Sequence, residues 1–319
     1  MKKRLLLSFL AVIFLLAGVV VGAGFYMLSY SLTPSSNESR NIMGARRKML
    51  AAYPELRPWM DSINACAALR DTFVRAADGD RHHAFYVPAP RPTNRVAVIV
   101  HGYTNNAYNM LHIAYIYHHG LGCNILLPDL HAAGLSDGRA IQMGWKDRVD
   151  VLQWAAVADR LFRDSTGVTR QVLHGISMGA ATVMCAAGER TPSYIRCFVE
   201  DCGYTSVWDE FKHELRSSFG LPAFPLMQVT SQLCRIRYGW SFSEASPLRQ
   251  VAKCRKPMLF IHGGADDYVP TPMVYELFRA KPEPKQCWIA PGAGHAKSYK
   301  LHRRKYCQMV GEFVNTFLR

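Results

Sequence analysis

A chain of 319 residues with 49% hydrophobic side chains holds enough apolar material for one large α/β domain with an insertion, or for two domains. The formal net charge is +14, but Lys2, Lys3, Arg4, Arg40, Arg46, Arg47 and Lys48 supply much of the excess against Glu38 alone, so the rest is only moderately basic. This composition excludes bulk disorder, the lack of an internal repeat excludes solenoids and propellers, and no aromatic-interleaved basic motif points to nucleic acid.

Met1-Lys2-Lys3-Arg4 precedes an uncharged apolar run from Leu5 to about Leu28, long enough to cross a bilayer as a helix. Val21-Gly22-Ala23 offers a cleavage site, but the run continues through Phe25, Tyr26, Met27 and Leu28. Residues 1–30 are therefore expected to be an uncleaved anchor, with a cleaved secretory signal as the alternative. Either leaves the Lys-Lys-Arg cluster in the cytoplasm and the remainder on the outer side. Residues 31–65 read as linker and docking helix. A Ser, Thr, Pro, Asn and Glu stretch from Ser31 to Ser39 is the connector, a helical piece covers about Ile42 to Ala52, and a second helix docks through Trp59 and Ile63.

From residue 66 to 319 the pattern alternates. Asp71–Arg75 and His82–Val87 read as an antiparallel hairpin around Asp78-Gly79-Asp80. Arg95–Val100 is a continuous β-branched run, as in a strand buried on both faces, and Met110–His118 reads as a helix. Cys123–Leu127 is the next strand. Asp147–Arg163 is an amphipathic helix with Val151, Trp154, Ala155, Ala158 and Leu161 on one face. Further strands follow at Val172, Ile195–Glu200, Pro257–Ile261 and Lys285–Ile289. This spacing predicts an α/β fold with a doubly wound, mostly parallel sheet, whose ligands collect at the carboxyl ends of the strands. Residues 205–245 break the rhythm with helical pieces at Trp208–Leu215 and Met227–Arg235, and read as a helical cap or as connecting helices that cover the sheet. Lys297, Lys300, Arg303, Arg304 and Lys305 form a second basic cluster, read as a solvated helix face. The nine cysteines contain no Cys-x-x-Cys pair, and one or two disulfides are compatible with the outer compartment.

The chemistry gathers at strand ends. Gln171–His174 leads through Gly175-Ile176-Ser177-Met178-Gly179 into the small-residue stretch Ala180–Ala187, which is strand, sharp turn and helix. In that context Ser177 stands clear of the sheet, and the flanking glycines leave room for neighbouring chain. A serine hydroxyl needs a histidine to take its proton and an acid to orient that histidine. Gly294-His295, past the last strand, supplies the base, while Asp266 and Asp267 past the preceding strand, or Asp201, supply the acid. Oxyanion donors are expected from the N–H of Met178 and from that of Tyr103, with His101 structuring its loop and Asn105 and Asn106 bordering the pocket. The pairs His82-His83 and His118-His119 splay apart in a strand or helix, so no metal site is assigned.

From roughly Asp71 onward the chain resembles the α/β-hydrolases of the serine esterase, lipase and S33-like aminopeptidase group. The matching pieces are His101-Gly102-Tyr103-Thr104, the Ser177 pentapeptide, His262-Gly263-Gly264-Ala265-Asp266-Asp267-Tyr268-Val269-Pro270 and Gly294-His295. The spacing of Asp266 to Val269-Pro270 resembles the family's acid motif and favours Asp266. Pro128-Asp129-Leu130-His131-Ala132-Ala133-Gly134-Leu135-Ser136 resembles the segment Asp-x-Arg-Gly-His-Gly-x-Ser, with His131 at the arginine position and alanines after it. The resemblance implies acyl transfer to water without a cofactor, on a small-molecule acyl substrate, with a carboxylesterase as the expectation. A peptidase and a catalytically silent membrane-anchored binding protein are the alternatives. An aromatic cap favours an apolar or aromatic group, and the sequence leaves the oligomeric state open.

Overall fold

The computed structural model describes residues 2–34, 39–76, 79–165 and 167–319. Part of the expected connector, at 35–38, and Asp78 of the hairpin turn lie outside the described residues.

Eight strands form one sheet: β1 (Arg70–Arg75), β2 (Arg81–Val87), β3 (Arg95–Val100), β4 (Asn124–Pro128), β5 (Arg170–Ile176), β6 (Ile195–Asp201), β7 (Met258–Gly263) and β8 (Lys285–Ala290). Their order across the sheet is β1-β2-β4-β3-β5-β6-β7-β8. β2 pairs antiparallel with both β1 and β4, and every pairing from β4 across to β8 is parallel. The doubly wound, mostly parallel sheet read from the sequence is thus the observed one. The uninterrupted apolar runs of β3 and β7 are buried almost throughout because helices cover both faces of the sheet. The chain winds outward from β3 to β4, returns past β3 to β5, and continues to β8. Its direction reverses between β3 and β5, where sheets of this kind open a crevice at the strands' carboxyl ends.

The helices are α1 (Lys2–Leu32), α2 (Ile42–Ala52), α3 (Arg57–Ala65), α4 (Leu111–Tyr115), α5 (Asp147–Phe162), α6 (Met178–Ala187), α7 (Val207–Phe219), α8 (Leu226–Tyr238), α9 (Pro247–Val251), α10 (Pro272–Ala280), α11 (Ser298–Leu301) and α12 (Arg303–Phe317). The chain forms two compact units. One comprises Met1–Thr33 and Ser206–Ser246, and therefore holds α1, α7 and α8. The other comprises Pro34–Thr205 and Pro247–Arg319, and holds the whole sheet. Helix α1 is long and apolar enough to cross a membrane, and its side chains from Leu5 to Leu16 are exposed.

In the sheet-bearing unit α2 and α3 are part of the main hydrophobic core through Ala45, Met49, Trp59, Met60 and Ile63. Trp59 donates its indole N–H to Nδ1 of His118 at 3.0 Å, which fixes the docking of α3. On α5 the buried face carries Val151, Trp154, Ala155 and Ala158 as expected, but Leu161 is exposed and Phe162 is buried instead. Phe162 lies one full turn beyond Ala158, on the line through Ala155, whereas Leu161 falls beside it. The expected helix over Met110–His118 is broken into a 3-10 turn, α4 and a wider turn over Ile116–Gly120. No disulfide joins any of the nine cysteines. The basic cluster near α12 is exposed, and Arg303 ties it to Glu55 at 2.7 Å.

Candidate active site

Ser177 joins β5 to α6 with φ +57° and ψ −120°, a conformation that L residues other than glycine rarely adopt. The turn is held by Ser177 N–H donating to the carbonyl of Asp201 at 2.8 Å. Its tightness explains the glycines. A Cβ on Gly175 would lie 2.1 Å from the carbonyl oxygen of Gly179, and one on Gly179 would lie 2.2 Å from that of Val100. Strand, helix and the loop after β3 can close together only when both positions lack a side chain.

Three strand ends meet at the serine. Ser177 Oγ lies 2.9 Å from Nε2 of His295, and Nδ1 of His295 lies 2.8 Å from Oδ2 of Asp266. With Nδ1–H donating to the carboxylate, Nε2 is left to accept the serine proton. Asp266 is buried, and its other oxygen accepts the N–H groups of Tyr268 and Val269 at 3.1 and 3.0 Å, so the turn after β7 fixes its orientation. His262 lies 3.4 Å from the same carboxylate, but burial lowers its pKa. As a neutral ring it donates Nε2–H to the carbonyl of Val269 at 2.9 Å and braces the turn. Asp267 is exposed and sits five residues ahead of α10, whose N-cap is Thr271. It therefore does not cap that helix.

Asp201, the other acid position weighed from sequence, is buried beneath the elbow. Its Oδ2 accepts the Tyr306 hydroxyl at 3.0 Å, and no hydrogen bond joins it to His295. Tyr306 continues to His174 Nε2 at 3.1 Å, and His174 Nδ1 meets the Tyr117 hydroxyl at 2.9 Å. Burial pushes the Asp201 carboxyl up to about 7 and holds His174 down to about 3. Burial, with Asp201 and Asp266 close by, also raises the Cys202 thiol and keeps it protonated. The floor under the serine is thus an uncharged, hydrogen-bonded chain when Asp201 is protonated.

A cavity of about 480 Å³ opens beside Ser177 and His295. Gly102, Tyr103, Thr104 and Asn105 form one wall, with Ile176, Tyr268 and Ala296 also lining it. Met178 begins α6 directly after the serine. His101 accepts the N–H of Leu130 at Nε2 (3.0 Å) and donates Nδ1–H to the carbonyl of Gly102 (2.8 Å), so it structures the loop after β3. Asn105 borders the cavity as expected. Asn106 does not, because it is fully buried and its side chain accepts from Tyr108 N–H while donating to the carbonyl of Ser39. Sequence reasoning missed Met49 and Tyr53, which come from α2 and the residue after it, and Met110 and His112 around α4. Met49 and Tyr53 carry no local mark, since they reach the cavity through the packing of α2, while Met110 and His112 come from the turn and α4 after β3.

The adjacent histidines point to different neighbours. His83 Nδ1 lies 2.7 Å from Asp129 Oδ2, and His82 Nε2 lies 3.3 Å from His131 Nδ1. His118 holds Trp59, while His119 stacks on Tyr115 with centroids 4.6 Å apart. Among the described residues, the one group of donors close enough to share a metal ion is Cys202, Asp266 and His295, within 4.8 Å of one another. Two of these already bond to each other beside the serine.

Residues 96–222 match the model of the alpha/beta hydrolase fold family. The chain is 31% identical over 231 residues to the uncharacterized protein YqkD of Bacillus subtilis, covering 72% of this chain and 74% of that protein. Among solved structures it is similar to an esterase of Pyrococcus furiosus, with TM-score 0.62 at 20% identity over 79% of this chain and 92% of that one. It is also similar to an acylaminoacyl peptidase of Pyrococcus horikoshii, with TM-score 0.58 at 18% identity over 78% of this chain and 41% of that one. With this sheet, this turn at Ser177 and a relative matched over most of its length, the chain belongs to the α/β hydrolase fold family.

Proposed function

We propose that the chain is a serine hydrolase, most simply a carboxylesterase, working through a covalent acyl-enzyme. The observation that carries this reading is the pair of distances at His295, 2.9 Å to the Ser177 hydroxyl and 2.8 Å to the Asp266 carboxylate. Ser177 Oγ attacks the substrate carbonyl carbon and its proton passes to His295 Nε2. The resulting imidazolium is oriented and stabilised by Asp266. The N–H groups of Tyr103 and Met178 receive the developing oxyanion. His295 returns the proton to the leaving oxygen as the bond to the carbonyl carbon breaks. Water then attacks the acyl-enzyme, giving its proton to His295, and the serine departs with that proton. The scheme uses only these groups and water.

The cavity favours an ester over a peptide. Met49, Tyr53, Met110, Ile176 and Tyr268 give it an apolar and aromatic lining, and no Asp or Glu stands among the described residues that line it. A peptidase that captures a free amino terminus requires such a carboxylate. The acylaminoacyl peptidase neighbour keeps the peptidase as the second reading. A fluorophosphonate probe tests the hydrolase reading: Ser177→Ala should abolish labelling of the intact protein. No labelling of the unmodified chain would favour the catalytically silent binding protein. p-Nitrophenyl esters against aminoacyl anilides then separate esterase from peptidase.

We further propose that α1 anchors the chain in a membrane, with Lys2, Lys3 and Arg4 on the cytoplasmic side and the hydrolase domain outside. Recovery of a soluble mature chain starting near Gly24 would replace the anchor by a cleaved signal.

A further inference from the structure

Helix α1 does not end its packing where a bare anchor would. A stripe of Val20, Ala23, Gly24, Met27, Leu28, Ser31 and Leu32 is partly or fully buried, whereas the helix before Val20 is exposed. The partner is α8 of the same compact unit. Gly24 lies so close to it that a Cβ would stand 3.1 Å from both Val229 and Leu233 and 3.4 Å from Thr230. Higher up, Tyr30 meets Phe219, just before the segment that enters α8, edge to face at 5.4 Å. These two contacts order the pair: the approach to α8 is level with Tyr30 and the middle of α8 is level with Gly24.

We infer that the last turn of α8, Arg235-Ile236-Arg237-Tyr238, is a membrane-contact element that enters the outer leaflet of a phospholipid bilayer beside α1. This rests on the reading that α1 spans the membrane. Helices rise about 1.5 Å per residue, so the hydrocarbon core, about 30 Å thick, takes roughly the twenty residues from Leu5 to Gly24. Continuing α8 past its Gly24 contact brings Ile236 level with roughly residue 19, inside that span. Burial follows the same order, because α8 is covered along its first half and exposed from Arg235 to Arg237, where α1 is exposed too.

The side chains fit the boundary. Ile236 lies on the same helical face as Val229 and Leu233 and is 81% exposed. Arg235 and Arg237 flank it, and long cationic side chains reach from apolar surroundings to lipid phosphates. Tyr238 sits under the Arg237 guanidinium at 5.6 Å, and Tyr26 and Tyr30 of α1 are both exposed. Tyr26 and Tyr30 lie just above Gly24, at the boundary where tyrosines concentrate because the ring is apolar and the hydroxyl is wet. An isoleucine between two arginines thus offers the acyl region one anchor and the phosphates two cations.

The test is photo-crosslinking with p-benzoylphenylalanine placed singly at Ile236 or at Phe14 of the full chain. The protein is reconstituted in phosphatidylcholine vesicles containing phosphatidylglycerol, and fluorophosphonate labelling at Ser177 verifies folding. Lipid adducts at both positions are expected. Adducts at Phe14 alone would overturn this inference while leaving the anchor in place. Adducts at neither would overturn both. Arg235→Glu combined with Arg237→Glu should lower the adduct yield at position 236 several-fold, and an unchanged yield would remove the arginines from the contact.

Discussion

The phenol ring of Tyr53 lies flat on the imidazole of His112, with centroids 5.0 Å apart and 4° between the planes. Both residues line the cavity beside Ser177, so the segment after α2 forms a wall of the site. Burial pushes His112 down to about 4, which leaves a neutral ring for the stack at neutral pH. Tyr53→Ala should open that wall. The expected outcome is a drop of about tenfold in kcat/KM for the best short-chain ester, with a smaller change for longer acyl chains, because about 1–3 kcal/mol rides on each methylene's fit in such pockets. Tyr53→Phe, which keeps the ring, should stay close to the unmodified protein. An acyl-length series on the three proteins checks this.

The visibility of the site in the sequence follows from how local each constraint is. The turn at Ser177 forces glycines on both sides by backbone contact, and Asp266 is fixed by the N–H groups of Tyr268 and Val269 just after it, so both leave short signatures. The strands of the sheet are legible for the same reason: burial on both faces demands unbroken apolar runs. Tyr53 and Met49 carry no such mark. Their role comes from α2 packing against residues some sixty positions later, and the pairing of α1 with α8 spans more than two hundred. On α5 the buried stripe ends at Phe162 and not at Leu161, because apolar spacing alone does not say which of two neighbouring residues ends such a stripe.

Two buried carboxylates approach the elbow, and they should separate cleanly in kinetics. Asp266→Asn removes the acceptor of His295 Nδ1–H and should lower kcat by about 10⁴-fold, as loss of a triad carboxylate does. Asp201→Asn keeps an acceptor for the Tyr306 hydroxyl and replaces a carboxyl that burial already raises to about 7, so kcat should fall by no more than about tenfold. Initial rates with a p-nitrophenyl ester, on variants of matched melting temperature, decide between them. The reverse ranking would move the acid to Asp201.

Gly179 tests the elbow without touching a reacting group. In Gly179→Ala the new methyl would stand 2.2 Å from the Val100 carbonyl oxygen and 2.7 Å from that of His101, both in the backbone at the end of β3. The chain must move apart there, at a cost of about 4 kcal/mol or more, in the range of severe core changes. Gly120→Ala, where a methyl meets nothing within 4 Å, should stay within about 1 kcal/mol. Thermal unfolding of the two variants gives the comparison, and similar melting temperatures would mean that the elbow is not closed as tightly as these distances require.

Asp147 should give the protein a pH dependence that one substitution removes. It is fully buried at the start of α5, where Oδ2 accepts the N–H of Gly144 at 2.8 Å and Oδ1 has no partner among the described residues. Burial raises its pKa from 3.8 to about 7. A carboxyl raised on folding is protonated in the folded chain but ionised in the unfolded chain between those values, so the folded state binds more protons and stability falls as pH rises. This contribution is fully present below about pH 4 and is lost progressively up to about pH 7, reaching roughly 4 kcal/mol at 1.36 kcal/mol per unit. In Asp147→Asn the residue no longer titrates. The variant's stability relative to the unmodified protein should therefore improve steadily from pH 4.5 to 7.5, measured by denaturant unfolding in detergent at several pH values. Parallel curves would show that the carboxyl ionises at its ordinary pKa and that water reaches it.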